Sequence, residues 1–123
     1  MPVLVDTNIL IDCLRRSMKA MEWFKAQSER PFISAVSLLE LYAGARSQRE
    51  QRDIAELRKL VQCLPVVEQI GERSGVFMRL YGASHSIDIP DAIIAATAEH
   101  HGLGLATLNT KHFPMFPRLK PPY

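Results

Sequence analysis

Three carboxylates of this sequence stand beside apolar segments, where an ionised acid is unfavourable unless something compensates its charge. Asp6 follows an aliphatic run, Glu40 lies within a strongly apolar stretch, and Asp91 precedes another such stretch. If these acids converge within about 5 Å, they repel one another by several kcal/mol. Raised pKa values or a bound cation are then needed to stabilise the cluster. The three acids therefore predict a divalent metal site.

The ligand chemistry of the chain favours a hard cation. Cys13 and Cys63 form no Cys-x-x-Cys pair, and the candidate ligands are carboxylate oxygens. Such ligands suit Mg²⁺, with Mn²⁺ as the alternative, rather than zinc. The net charge of +2 permits a polyanionic partner. A divalent ion activates water and neutralises charge on phosphate oxygens, so the predicted chemistry is phosphodiester hydrolysis.

Two of the acids also have a purely structural interpretation as helix caps. Asp6 or Thr7 would satisfy the free N–H groups of the helix that follows. Glu40 has the spacing of a capping box with Ser37. Ser34 is the better helix start, however, because it directly follows a predicted strand. Glu40 would then lie in the second turn, too deep in the helix to cap it.

The remaining polar groups have structural alternatives of the same kind. Asp91 falls in the first turn of an apolar helix, where the helix dipole favours an acid. Asp88 is the alternative cap of that helix, and we interpret it as a cap or a supporting group rather than a ligand. Thr107 and Asn109 follow the last predicted strand. Their alternative role is an ordinary Asx-type turn.

Hydrophobic periodicity predicts the elements that would position these side chains. Strands are expected at 3–6, 31–33, 64–67 and 104–107. Helices are expected at 7–16 with Thr7 as N-cap, 18–28, 34–44, 48–62, 69–83 and 90–102, with both cysteines in helices. The alternation predicts an α/β fold, a three-layer α/β/α sandwich around a central, mainly parallel sheet. Ligands of such sheets bind at the carboxyl ends of the strands, where Asp6 is predicted to lie.

Composition predicts the class of protein. The chain has 123 residues, which indicates one domain over 1–123, and 47% of them are hydrophobic. No apolar run reaches the roughly 20 residues of a membrane helix, so no membrane partner is expected. Asp6 interrupts the first apolar stretch and no basic segment precedes it, which disfavours a signal peptide. With no disulfide framework, a cytoplasmic location is the default expectation.

Four segments together resemble the PIN domain, and most closely its VapC-type toxins. They are Val-Asp-Thr-Asn-Ile-Leu-Ile at 5–11, Ser-x-x-Glu-Leu at 37–41, Asp-Ala-Ile-Ile-Ala-Ala-Thr-Ala at 91–98 and Leu-Ala-Thr-Leu-Asn-Thr-Lys-His-Phe at 105–113. The resemblance covers nearly the whole chain in the right order. It implies a metal-dependent endoribonuclease acting on RNA, usually a homodimer, that a cognate antitoxin protein silences.

The resemblance also implies a role for each matching position. Asp6 and Asp91 would be the principal metal ligands and catalytic acids, with Glu40 as the third acid. The supporting residues would be Thr7, Asn8 for the metal's water shell, Asp88, Thr107 and Asn109. Many relatives have an acid where this chain has His112, so whether one or two metals bind stays open. His112 would contact a phosphate, or lie partly exposed in a turn.

Basic residues near the predicted site are candidate RNA contacts. Arg46 follows the Glu40 helix and Lys111 lies beside the Asn109 turn. A solvated surface is the alternative for each. The apolar excess of 33–45, with Leu38, Leu41 and Tyr42, is the expected dimer surface.

Two other functions compete with the nuclease. A haloacid-dehalogenase-type phosphatase also has an acid after its first strand, but it needs a second acid two residues later, where this chain has Asn8. A non-catalytic RNA-binding module of the same fold would be expected to lose one or more of the three core acids, all of which are present here. The sequence names neither the RNA that is cleaved nor the antitoxin family.

Overall fold

A computed structural model describes residues 2–123. Four short strands form one parallel sheet in the order β3-β2-β1-β4, with β1 at Val3–Val5, β2 at Phe32–Ser34, β3 at Gln62–Leu64 and β4 at Gly104–Ala106. Because all the strands are parallel, their carboxyl ends lie at the same edge of the sheet. This edge of the sheet includes Asp6, which follows β1, and Thr107, which follows β4.

Helices fill the connections between the strands, as parallel pairing requires. They are α1 at Thr7–Leu14, α2 at Met18–Lys25, α3 at Ala35–Gly44, α4 at Gln48–Arg58, α5 at Glu68–Tyr81 and α6 at Ile89–His100. A 3₁₀ turn at Thr110–His112 follows β4. None of the helices within residues 2–123 combines the length and apolar character needed to cross a bilayer.

The sheet separates two hydrophobic cores, because successive side chains of a strand point to opposite faces. Leu4 and Leu105 pack with α5 and α6 on one face, whereas the next residues, Val5 and Ala106, pack with α1 and α4 on the other. Each core includes fully buried aliphatic side chains. The predicted three-layer α/β/α sandwich with a parallel sheet is therefore confirmed.

Helix α6 contains the longest run of buried residues in the described chain, as its apolar sequence predicts. All of its residues from Ile94 to Ala98 are buried. Its first turn nevertheless presents the half-buried Asp91. A rigid helix thus carries this acid.

Several predicted boundaries are wrong. The third strand is Gln62–Leu64 rather than 64–67, because Pro65 has no N–H to continue the ladder. Cys63 consequently lies in a strand, although the apolar pattern had suggested a helix. Asp6, not Thr7, caps α1, and Thr7 is its first helical residue. The predicted 48–62 helix ends at Arg58, and Leu60 is 55% exposed instead of lying on its apolar stripe.

Candidate active site

The Asp6 carboxylate is buried, with only 4% of the residue exposed, and both of its oxygens accept hydrogen bonds. Thr7 N–H donates to Oδ1 at 2.7 Å, and Thr107 Oγ1 donates to Oδ2 at 2.6 Å. Burial raises the pKa of Asp6, while the bonds from Thr107 and Thr7 oppose that rise because they favour the charged form. Asp6 is therefore held in one orientation at the end of β1.

Thr107 is completely buried and fixes that orientation from the neighbouring strand. Its hydroxyl also accepts a hydrogen bond of 3.0 Å from the backbone N–H of Asn109. Since a hydroxyl has one proton, this acceptor role leaves the proton for Asp6. The turn after β4 thus aligns Thr107 toward the carboxylate, whereas the side chain of Asn109 is exposed.

Glu40 is connected to the end of β1 through Thr7. Thr7 Oγ1 donates to Glu40 Oε1 at 2.7 Å and lies 2.8 Å from Ser37 Oγ. With its proton directed to Glu40, Thr7 can only accept from Ser37, so the donors run from Ser37 to Thr7 to Glu40. Burial raises the pKa of Glu40, the Thr7 bond lowers it, and the nearby charges of Asp6 and Asp88 raise it.

Ser34 accepts from Val36 N–H as the N-cap of α3, and Glu40 lies in the second turn. The capping-box alternative for Ser37 and Glu40 is therefore wrong. Ser37 is instead a completely buried positioning residue. Ser37 and Glu40, three residues apart on α3, both contact the Thr7 hydroxyl. The Ser-x-x-Glu spacing was therefore the sequence signal for the positioning role of Ser37.

Asp91 and Asp88 form the capping box of α6. The N–H of Asp91 donates to Asp88 Oδ1 at 2.9 Å, and the N–H of Asp88 lies 3.4 Å from Asp91 Oδ2. Burial, followed by the hydrogen bond and charge of Asp88, raises the pKa of Asp91 to about 7. His112 Nδ1 lies 3.5 Å from Asp91 Oδ2. The interpretation of Asp88 as a cap is confirmed.

The acids share one electrostatic environment at this edge of the sheet. The charge of Asp88 raises the pKa of Asp6, Glu40 and Asp91, and the charge of Asp6 raises the pKa of both Glu40 and Asp91. The electrostatic interaction with His112 lowers the pKa of Asp6. The site therefore concentrates negative charge that a cation would relieve.

The donor set fits a hydrated ion better than a closed metal cage. Within the described range 2–123, no three His, Cys, Asp or Glu side chains are arranged to enclose a metal ion. Mg²⁺ does not need such a cage, because it keeps several waters and is typically held by one or two carboxylates. Both side-chain amide atoms of Asn8, two residues after Asp6, are buried and lack a protein partner. Buried amides normally have a hydrogen-bond partner, and a water of a hydrated ion would supply one.

The predicted RNA contacts are less closely associated with the acids. Lys111 is exposed in the 3₁₀ turn and His112 is half-buried next to Asp91. Arg46 is exposed beyond the end of α3, where its backbone N–H donates to a Glu50 carboxylate oxygen. The structure thus brings His112 to the acids, and it shows no contact between Arg46 and any of them.

The fold and this edge of acids define the class of protein. The family profile described as "PIN domain" matches residues 3–119, and the chain belongs to this family. The resemblance inferred from the four sequence segments is confirmed, and the haloacid-dehalogenase-type alternative is wrong.

Relatives and solved structures place the chain more narrowly. It is 44% identical to "Ribonuclease VapC10" of Mycobacterium tuberculosis, over 98% of this chain and 92% of that protein. "Ribonuclease VapC19" of the same organism is 38% identical, with 98% of both chains covered. A toxin–antitoxin complex from Klebsiella pneumoniae contains a chain with a TM-score of 0.83 and 31% identity, again over 98% of both chains.

We expect Asp91 to make the metal-free protein less stable as the pH rises. Because its pKa is raised from 3.8 to about 7, the folded state keeps a proton in this window that the unfolded chain has released. The free energy of unfolding therefore falls between about pH 4 and pH 7. Asp91→Asn should flatten this dependence. Above about pH 7 this variant should be more stable than the parent. The difference should be on the order of 1 kcal/mol, because solvent screens the charge of a half-buried group.

Urea unfolding at a series of pH values in EDTA measures this effect. Asp53→Asn, on α4, is the control and should keep the parental slope. An unchanged slope in Asp91→Asn would show that this carboxyl does not titrate in the window.

Thr107→Val tests the hydrogen bond to Asp6. Valine preserves the shape of the side chain but leaves a buried carboxylate oxygen without its donor, so we expect a loss of ~2 kcal/mol in the free energy of unfolding at neutral pH. Thr97→Val is a matched control, because Thr97 is equally buried but donates to the carbonyl of Ile93. The control should lose only ~1 kcal/mol. Equal losses in chemical denaturation would contradict a special role for the Thr107 bond.

Proposed function

We propose that this protein is a Mg²⁺-dependent endoribonuclease that hydrolyses RNA phosphodiester bonds, as the toxin of a VapBC-type toxin–antitoxin pair. The observation that carries the proposal is the buried Asp6 carboxylate, fixed at both oxygens and sharing one electrostatic environment with Glu40 and Asp91. The names of the relatives, ribonuclease VapC10 and VapC19, support the reaction type. Mn²⁺ is the alternative ion.

Asp6 and Asp91 would hold the ion, with Glu40 as the third acid and Asn8 as a partner for its water. When bound, the ion would activate water and neutralise charge on the phosphate. Thr7 and Thr107 fix the carboxylates of Glu40 and Asp6. No residue in the described chain donates to Glu40 Oε2. Its raised pKa suits this oxygen to accept a proton from the attacking water.

RNA would be held by basic side chains, of which His112 lies beside the acids. Lys111 and Arg46 are exposed, and His112 reaches Asp91. Cations in these positions would contact phosphates on either side of the scissile bond, and each contact would make binding more sensitive to salt.

We also propose that the chain forms a homodimer and binds a cognate antitoxin over the acidic cleft. The antitoxin is supported by the similarity to a toxin–antitoxin complex. Leu39 and Tyr42 of α3 are 66% and 38% exposed, which leaves an apolar surface on this helix. Leu41, predicted from the sequence to lie on that surface, is buried in the core at 6% exposure, and Leu38, also predicted there, is partly buried against the same core. The proposed contact is therefore made by Leu39 and Tyr42.

Asp6→Asn is expected to abolish nearly all RNA cleavage while the protein stays folded. The amide cannot supply the negative charge that would hold the ion, but asparagine caps a helix about as well as aspartate. Cleavage of a mixed-sequence RNA in Mg²⁺, together with circular dichroism, measures both effects. Asp53→Asn serves as the control and should cleave at the parental rate. Parental activity in Asp6→Asn would refute the nuclease mechanism and leave Asp6 as a helix cap.

A charge on the exposed face of α3 should prevent dimer formation. Leu39→Lys places an ammonium group in the proposed contact, where its desolvation is unfavourable. Sedimentation at micromolar concentration should show a dimer for the parent and a monomer for this variant. Leu60→Lys changes another exposed leucine, 55% exposed and outside α3, and should remain dimeric. A parent that sediments as a monomer would contradict the proposal.

A further inference from the structure

A cavity opens beside the acidic site. It has a volume of about 680 Å³ and is formed by residues 84–86 and by the segment 110–119 that follows β4. We call it the cationic cavity, because His85, Lys111, His112 and Arg118 line it and no Asp or Glu of residues 2–123 does. Its volume lies within the roughly 300–1,000 Å³ of small-molecule sites.

The cationic cavity is continuous with the acids through His112. This residue lines the cavity, and its Nδ1 lies 3.5 Å from Asp91 Oδ2. A polymeric ligand bound at the acids would therefore extend directly into the cationic cavity. Lys111, His112 and Arg118 belong to the segment after β4, whereas His85 comes from the connection between α5 and α6, so no single stretch of the sequence shows that they meet.

The charges of the cavity are available to a ligand. Lys111 and Arg118 are both exposed, and neither is within ion-pair distance of a carboxylate in the part of the chain described here. Hydroxyl groups of Ser86 and Thr110 also line the walls. Cations and hydroxyls together suit a phosphate and a ribose.

His85 provides a fixed aromatic face. Ser84 Oγ lies 2.8 Å from its Nδ1, and the rings of Tyr81 and His85 are nearly perpendicular with their centroids 5.6 Å apart. The residue is exposed, so its ring is accessible to a base. Stacking on such rings is a common and sequence-tolerant way to hold single-stranded nucleic acid.

Backbone strain is also concentrated at the cationic cavity. Ser86 and Arg118 have φ values of 53° and 68°, in the left-handed region that is unfavourable for residues other than glycine. Strained residues of this kind cluster at binding and catalytic sites.

From these observations we infer that the cationic cavity binds one nucleotide of the RNA strand next to the scissile phosphate. Arg118 and Lys111 hold its phosphate, and its base stacks on His85. The path of the strand from the cavity to the acids rests on the proposed nuclease function. The binding of a nucleotide in the cationic cavity does not. Binding can therefore be measured without cleavage.

The test uses the full chain in EDTA and a labelled single-stranded RNA of about 12 nucleotides. Arg118→Gln should weaken binding severalfold and reduce the slope of log K against log salt by about 0.7, the loss of one phosphate contact. His85→Ala should weaken binding about tenfold, and His85→Phe should restore it because stacking is retained. Arg58→Gln makes the same charge change at the end of α4, away from the cavity lining, and should bind like the parent.

The inference would be overturned if Arg118→Gln and His85→Ala bind the RNA with the same affinity and the same salt dependence as the parent. A second result would also overturn it. If a glutamate-rich peptide binds the parent more tightly than Arg118→Gln, and RNA binds both proteins equally, the cavity serves an acidic protein segment. Failure of the nuclease proposal gives a different result. The parent would bind RNA with the predicted sensitivity to Arg118 and His85, yet would not cleave it in Mg²⁺.

Discussion

The burial of one carboxylate at the end of the central strand β1 determines most of what this site can do. Asp6 is only 4% exposed, and within residues 2–123 its carboxylate accepts hydrogen bonds from two donors, Thr7 N–H and the Thr107 hydroxyl. Parallel pairing of β1 with β4 is what brings Thr107 beside it. The position of this acid is therefore a consequence of sheet topology, and the remaining polar groups are arranged around it.

Structural and chemical roles coincide in these acids. Asp6 caps α1 and Asp91 belongs to the capping box of α6, so each carboxylate is oriented by the helix it stabilises. The alternatives of cap and ligand, which the sequence presented as competitors, are compatible. Glu40 differs, because it contributes nothing to a helix end and is held only through Thr7. A partly buried acid with no structural task is the stronger sign of function.

The sequence predicted the layers and the position of Asp6 at the end of β1, because both depend on local patterns. The aliphatic run Val3–Val5 specifies a buried parallel strand, and the apolar sequence of α6 specifies a helix buried on most sides. Boundaries were predicted less well where one residue decides them, as Pro65 does for β3. The role of Ser37 depends on a contact with Thr7 across two helices, and the cationic cavity joins residues 84–86 to 110–119. No local pattern encodes such contacts.

We propose that a divalent ion compensates the charge that the protein itself leaves concentrated around Asp6. Calorimetric titration of Mg²⁺ into the parent protein and into Asp6→Asn, in the absence of RNA, tests it most directly. We expect saturable binding to the parent and a loss of most of that affinity in the variant, whose fold is retained. Equal Mg²⁺ affinity in the two proteins would contradict it.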